Sequence, residues 1–282
     1  MKKVAVIGAG VMGCDVAIDL AFYGYEVILK DISPKALDNA KGIIEKNFRF
    51  FKMMKSDYKS VEVSNILEKI TFTSTYSEFK SVDYIVENIN ENLESKLALY
   101  AELDKVCSEN VLYFVNTSCI SITNIASAVR NCKNVIGMHF MNPVPLKELV
   151  EVVRGFHTSE DTIGVAKEFV KSLKKQSVVV NDYPGFVANR LSHLFMNEAA
   201  FLIQENVAKP NEVDLIFKKG YGHKLGPLET ADLIGLDTVV NSLDILYQSY
   251  QDPKFRCCPL LKKMVNAGLL GRKSGKGFYE YS

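Results

Sequence analysis

The chain has 282 residues, 48% hydrophobic and 24% charged, which is ordinary globular composition and more length than one compact core usually needs, so two domains are expected. Its 34 basic and 33 acidic residues leave a formal net charge of +1, which excludes a long-range field favouring nucleic acid or an anionic bilayer. Six cysteines without a CxxC pair suggest neither a disulfide framework nor a metal site and fit a cytoplasmic protein, and no apolar run reaches the roughly 18 residues of a membrane span.

The opening "MKKVAVIGAGVMGC" imitates a short export signal ending on a lipidated cysteine, but Gly8, Gly10 and Gly13 interrupt its apolar run. It reads instead as a strand, a glycine turn and a helix. From there "KVAVIG", "EVILKD", "KITFTS", "DYIVENI", "VLYFVNTS", "NVIGMHF", "ELVEVVRG" and "QSVVVND" alternate with helical stretches. Near-continuous apolar strands separated by helices predict a Rossmann-type, mostly parallel sheet with helices on both faces, over residues 1–182.

In the first unit, Gly8 permits a tight turn, Gly10 lets backbone approach a pyrophosphate, and Gly13 allows close packing of helix on strand. Val11, Met12 and Gly13 open the helix whose unbonded amides would meet phosphate. Asp31 ends the second strand, 18 positions past Gly13, where a carboxylate accepts hydrogen bonds from ribose hydroxyls and repels a 2′-phosphate. NAD is therefore expected rather than NADP, although Lys30 and Lys35 stand close in sequence.

The stretch 48–69 is longer than a simple crossover requires and carries Arg49, Lys52, Lys55 and Lys59. Two readings stand: a wet helical face, or a basic patch for a phosphorylated substrate handle.

Strand ends then supply the reactive side chains. "VLYFV" runs out on Asn116, Thr117, Ser118 and Cys119, which could form a turn and helix cap into "SITNIASAV" or present Ser118 as a donor to a substrate oxygen. His139 closes "NVIGMHF" just before "MNPVP"; alone it could be a packed histidine, but a sheet of this kind builds sites at such strand ends. Glu151 sits inside the apolar "ELVEVV", where a carboxylate is costly without a partner. If that strand runs back beside the first, Glu151 would fix the imidazole tautomer and leave the other nitrogen to take a proton. The other histidines, 157, 193 and 223, are assigned no chemistry.

After Asp182 the texture becomes helical. "NDYPGFVANRLSHLFMNEAAFLIQEN" has helical spacing with Asp182 as a possible cap and Pro184 near the first turn, and further helices are expected over 211–219, 229–250 and 259–267. A strand pattern returns only in the final "GFYEY". Residues 183–282 are thus expected to form an all-α domain, whose Asn189 could give a second donor to the substrate oxygen.

These residues bring out a resemblance. The chain resembles the short-chain L-3-hydroxyacyl-CoA dehydrogenases, and looks closest to the bacterial 3-hydroxybutyryl-CoA dehydrogenases, over nearly its whole length. The motifs that carry it are "GAGVMG", "VENINEN", "NTSC", "GMHFMNPVPLKELVEVV", "DYPGFVANRL", "GPLETADLIGLD" and "GRKSGKGFYEY". The resemblance implies that His139 is the catalytic base, Glu151 its partner, and Ser118 and Asn189 the groups holding the substrate oxygen. It also implies that Glu91 and Lys96 lie near the cofactor, and Asn116 is counted with the cofactor contacts. It further implies a helical C-terminal domain that closes the cleft and forms a homodimer. Three positions depart from the family pattern: Cys119 where a second serine is usual, Asn88 where a small residue follows Glu87, and Met141 where Phe is usual. These changes put the acyl group in doubt, and Cys119 could be a small buried residue or a reactive thiol.

The expected function is NAD-dependent interconversion of a short 3-hydroxyacyl thioester and its 3-oxoacyl form, with no metal. The handle could be CoA or an acyl carrier protein presenting a three-carbon unit. The rivals are an NAD-binding protein without catalysis and an enzyme of a free hydroxy acid or sugar acid.

Overall fold

The computed structural model describes residues 2–281. The chain divides into two compact units between Asp182 and Tyr183. In the first, the glycine turn joins β1 (Lys3–Ile7) to α1 (Val11–Phe22), followed by β2 (Glu26–Lys30) and a long α2 (Pro34–Met54). Ser33 starts α2 by accepting from the Ala36 N–H with Pro34 in the first turn, and Leu37, Ala40, Ile44, Phe48 and Phe51 form its buried stripe. Stretch 48–69 is therefore the end of α2, a one-turn 3-10 helix (Ser56–Tyr58) and a short α3 (Val63–Leu67), anchored by Tyr58, which is buried and stacks on Phe22.

The remaining elements are β3 (Ile70–Thr73), β4 (Tyr84–Glu87), α4 (Leu93–Val106), β5 (Leu112–Val115), α5 (Ile122–Ala126), β6 (Val135–Phe140), β7 (Leu149–Arg154), α6 (Glu160–Ser172) and β8 (Gln176–Asn181). They form one eight-stranded sheet of order β3-β2-β1-β4-β5-β6-β7-β8. Only β6 and β7 pair antiparallel; every other neighbouring pair is parallel. Chain order reverses between β1 and β4, so a crevice opens at the carboxyl ends of those strands, where ligands bind in sheets of this kind. All eight expected strands are present. The core joins Val4, Val6, Val86, Phe114, Ile136 and Val152 of the sheet to Ile18, Leu20, Ile44 and Phe169 of the helices.

The second unit holds α7 (Ala188–Gln204), α8 (Pro210–Gly220), α9 (Pro227–Ile234), α10 (Leu236–Tyr250) and α11 (Pro259–Asn266). Met196, Ala200, Ala231, Leu236, Val239, Leu243 and Leu261 form its core. Three expectations need correction. The first helix starts at Ala188 and is not capped by Asp182, because Gly185 and Phe186 have positive φ (78° and 48°) and interrupt the helical path. The stretch 229–250 is two helices, broken where Gly235 takes φ 104°. "GFYEY" is not a strand: Asp232 draws it in, accepting from the N–H groups of Phe278 and Tyr279 and from the Tyr281 hydroxyl.

Among the described residues no helix is long and apolar enough to cross a membrane. Nor does any group of metal-ligating side chains gather among them.

Candidate active site

The glycine turn is shaped by close approach. Gly8 has φ 97° and a Cβ on it would lie 2.7 Å from the Asn88 carbonyl oxygen, while one on Gly13 would lie 1.7 Å from the Gly8 oxygen. Gly10 is different: its φ is −76°, and a Cβ there would meet nothing of the chain within 4 Å. Neither backbone strain nor packing within the chain calls for glycine at that position. A side chain would instead obstruct the first turn of α1, where Val11, Met12 and Gly13 carry amides without intrahelical partners, so the cradle fits a pyrophosphate.

Asp31 faces this turn. One of its oxygens accepts from the Ala9 N–H at 2.8 Å and the other from the Ser33 N–H at 2.9 Å. Each oxygen retains a second acceptor position, which suits a ribose diol and repels a phosphate. Lys30 is engaged elsewhere by hydrogen bond: its Nζ lies 4.1 Å over the Tyr76 ring and donates to the Tyr76 hydroxyl at 2.9 Å, and burial pushes its pKa down against the pull of Glu102 and Asp31.

Beneath the ends of β4 and β5 lies a buried ion pair. Lys96, on α4, places Nζ 2.7 Å from both carboxylate oxygens of Glu87, and neither side chain is accessible to solvent. The same ammonium donates to the Asn116 carbonyl at 3.3 Å. Asn116 in turn donates through its amide to Asn88 at 2.7 Å and accepts from the Phe140 N–H at 3.2 Å, tying the loops after β4 and β5 to the end of β6. Glu91 supports the next residues: one of its oxygens accepts from the Thr117 hydroxyl and the Ser118 and Cys119 amides at 2.5–3.0 Å. Glu91 and Lys96 thus hold the strand ends of the crevice.

That loop presents Ser118 to His139. In the antiparallel β6–β7 pair His139 stands opposite Glu151, on the same face of the sheet. The His139 side chain is 8% exposed and that of Glu151 4%. Nδ1 lies 2.6 Å from Glu151 Oε2, and a carboxylate can only accept, so Nδ1 carries the hydrogen and donates. Nε2 is thereby left as an acceptor, 3.3 Å from Ser118 Oγ. Capping falls to other residues: Ser121 accepts from the Asn124 N–H at the start of α5, and Asp182 accepts from Ser121, from the Ile122 and Thr123 amides and from the Thr123 hydroxyl. Of the two readings of "NTSC", Thr117 makes the turn by accepting from the Ile120 N–H and Ser118 faces the imidazole, while the helix cap is Ser121, outside that stretch.

Family models match both parts of the chain: 3-hydroxyacyl-CoA dehydrogenase, NAD binding domain, over residues 3–183, and 3-hydroxyacyl-CoA dehydrogenase, C-terminal domain, over residues 185–281. The chain belongs to the 3-hydroxyacyl-CoA dehydrogenase family. It is 43% identical over 279 residues to a probable 3-hydroxybutyryl-CoA dehydrogenase of Deinococcus radiodurans, covering 99% of this chain and 100% of that one. A probable 3-hydroxybutyryl-CoA dehydrogenase of Bacillus subtilis is 40% identical over 281 residues, covering 100% and 98%. Among solved structures, M. tuberculosis FadB2 superposes with a TM-score of 0.96 at 33% identity, covering 100% of this chain and 99% of its own. The family member described here is an NAD-dependent oxidoreductase acting on a 3-hydroxyacyl-CoA-type substrate.

Asn189 lies in the first turn of α7, where its carbonyl accepts from His193 Nδ1 at 2.9 Å. Arg49 pairs with Glu45 one turn away, Lys52 pairs with Glu62, and Lys59 is exposed. Lys55 turns inward, donating to the Tyr23 hydroxyl and the Pro145 carbonyl. Glu87, Thr117 and Asn88 were not singled out from sequence for the contacts they make. The available signal was a carboxylate closing an apolar strand nine residues before a lysine, which is costly unless the two meet.

Proposed function

We propose that the substrate is a four-carbon 3-hydroxyacyl-CoA and that His139 is the base of its oxidation. The observation that carries this reading is the imidazole itself: Nδ1 is committed to Glu151 and Nε2 is held as an acceptor beside a serine hydroxyl. NAD, when bound, supplies the hydride acceptor. As C3 gives up its hydride, the hydroxyl proton passes to His139 Nε2, and Glu151 steadies the imidazolium so formed. Ser118 Oγ and the Asn189 carboxamide donate to the substrate oxygen, whose charge grows during the step. In the reverse direction the imidazolium returns the proton to the carbonyl oxygen.

In this reading residues 1–182 hold NAD through Gly8, Gly10, Val11, Met12, Gly13, Asp31 and Asn116, and the helical residues 183–282 close over the substrate and form a homodimer. Arg49 and Lys59 are the exposed cations of the expected handle patch and are assigned to the CoA phosphates. His139→Gln should lower turnover of acetoacetyl-CoA by about a hundredfold to ten-thousandfold while NADH still binds. Unchanged turnover would remove His139 from the mechanism. The same assay with a carrier-protein thioester tests the handle, and sedimentation of the pure protein tests the dimer.

A further inference from the structure

The hairpin that opposes His139 to Glu151 has an unusual register problem. Every residue of β6 is buried, and four of the six in β7 are, so both faces of both strands are packed. A one-residue slip would disturb that packing, since a Cβ on Gly137 would already lie 2.6 Å from the Val153 Cβ, and it would carry Glu151 to the face opposite His139. The connection between the strands adds to this packing in fixing their register.

That connection, with its 3-10 turn at Val144–Leu146, is held by side chains from three distant places in the chain. Lys175, 7% exposed, donates to the Val144 carbonyl at 2.7 Å and the Lys147 carbonyl at 2.8 Å. Its Nζ also lies 3.0 Å from Asp19, whose other oxygen accepts from the Tyr58 hydroxyl at 2.8 Å. Asp15, one turn earlier on α1, takes the Val144 N–H and the Asn47 amide. Lys55 adds a bond to the Pro145 carbonyl at 3.1 Å. Asp15 and Asp19 are each 1% exposed and occupy the same face of the helix whose first turn forms the dinucleotide cradle. Removing one partner of such a buried pair leaves the other charge uncompensated, so the groups hold one another in place.

We propose that Asp19 and Lys175, supported by Asp15 and Tyr58, are positioning residues that lock the β6–β7 register to α1, so that the imidazole–carboxylate pair is fixed relative to the cofactor helix. The proposal rests on the reading of His139 as base, but its test includes a readout independent of turnover. Lys175→Met should lower kcat for acetoacetyl-CoA by about tenfold to a hundredfold, with the KM for NADH unchanged, since displacements on the order of 1 Å at a reacting group have effects of that size. In 15N-labelled protein the side-chain signals of His139, assigned by their loss in His139→Gln, should move from the fixed Nδ1–H tautomer towards the pattern of Glu151→Gln. Tyr58→Phe keeps the ring stacked on Phe22 and removes one bond to Asp19, and should give a smaller change in the same direction. A folded Lys175→Met with unmoved His139 signals and turnover within twofold overturns the proposal. If Lys175→Met does not fold, unmoved signals in Tyr58→Phe overturn it instead. Should His139→Gln prove fully active, the base assignment fails, while the imidazole signals still report whether Lys175 positions the ring.

Discussion

The sheet unit and the helical unit both bury carboxylates, but they satisfy them differently. In the sheet unit Glu87 meets Lys96, Asp19 meets Lys175 and Glu151 meets His139, each an ionisable partner. In the helical unit Asp214 and Asp232 are held by neutral donors: Asp214 by the Leu228 and Glu229 amides at the start of α9 and the Tyr279 hydroxyl, Asp232 by the tail amides and Tyr281. Amides at a helix start and along a tail tie chain segments together whatever the neighbouring charges do. Ionisable pairs tie protonation to geometry.

The same isosteric change in the two units breaks or sharpens this contrast. Glu87→Gln should destabilise the protein most, by about 3–5 kcal/mol, because it leaves the Lys96 ammonium buried without its counter-charge. Asp232→Asn should cost only about 2 kcal/mol, since one oxygen still accepts and a single donor loses its partner. Urea unfolding of both variants reads the difference, and equal losses would show that charge pairing does not distinguish the units.

Asp15 sharpens the contrast from within the sheet unit, because its hydrogen-bond donors are neutral. Burial raises its pKa from 3.8 to about 6, against the opposing pull of the Asn47 amide and the Val144 N–H. Between those values the folded protein holds a proton that the unfolded chain has released, so stability falls as pH rises from about 4 to about 6 and the loss is complete above that. From pH 4.5 to 7.5 the wild type should lose about 1–2 kcal/mol more than Asp15→Asn, which does not titrate there. A parallel pH dependence in the two proteins would show that Asp15 does not carry this effect.

Much of the site was legible in the chain because it lies on strands. Eight apolar runs set a parallel sheet, strand ends set the positions of Asp31, Ser118 and His139, and Glu151 stood out as a charge in an apolar run. The helical unit was less legible: a single positive-φ residue, Gly235, splits a periodic run into two helices, and periodicity does not register backbone sign. Asp182 was misread for a related reason. Its proximity to the next helix in sequence suggested a cap there, whereas its carboxylate reaches α5, some 60 residues earlier in the chain.

By itself the sequence determined which residue types close each strand, and from that the dinucleotide turn, the acid after β2 and the pairing of a histidine with a glutamate. Those features are local, since a glycine spacing or a buried charge carries its own physical demand. Tertiary structure alone decided which partner answers the distant demands: Lys175 for Asp19 and Glu91 for the Ser118 loop. Partners so far apart in sequence meet only because the order of strands in the sheet brings their elements side by side, and no spacing along the chain records that order.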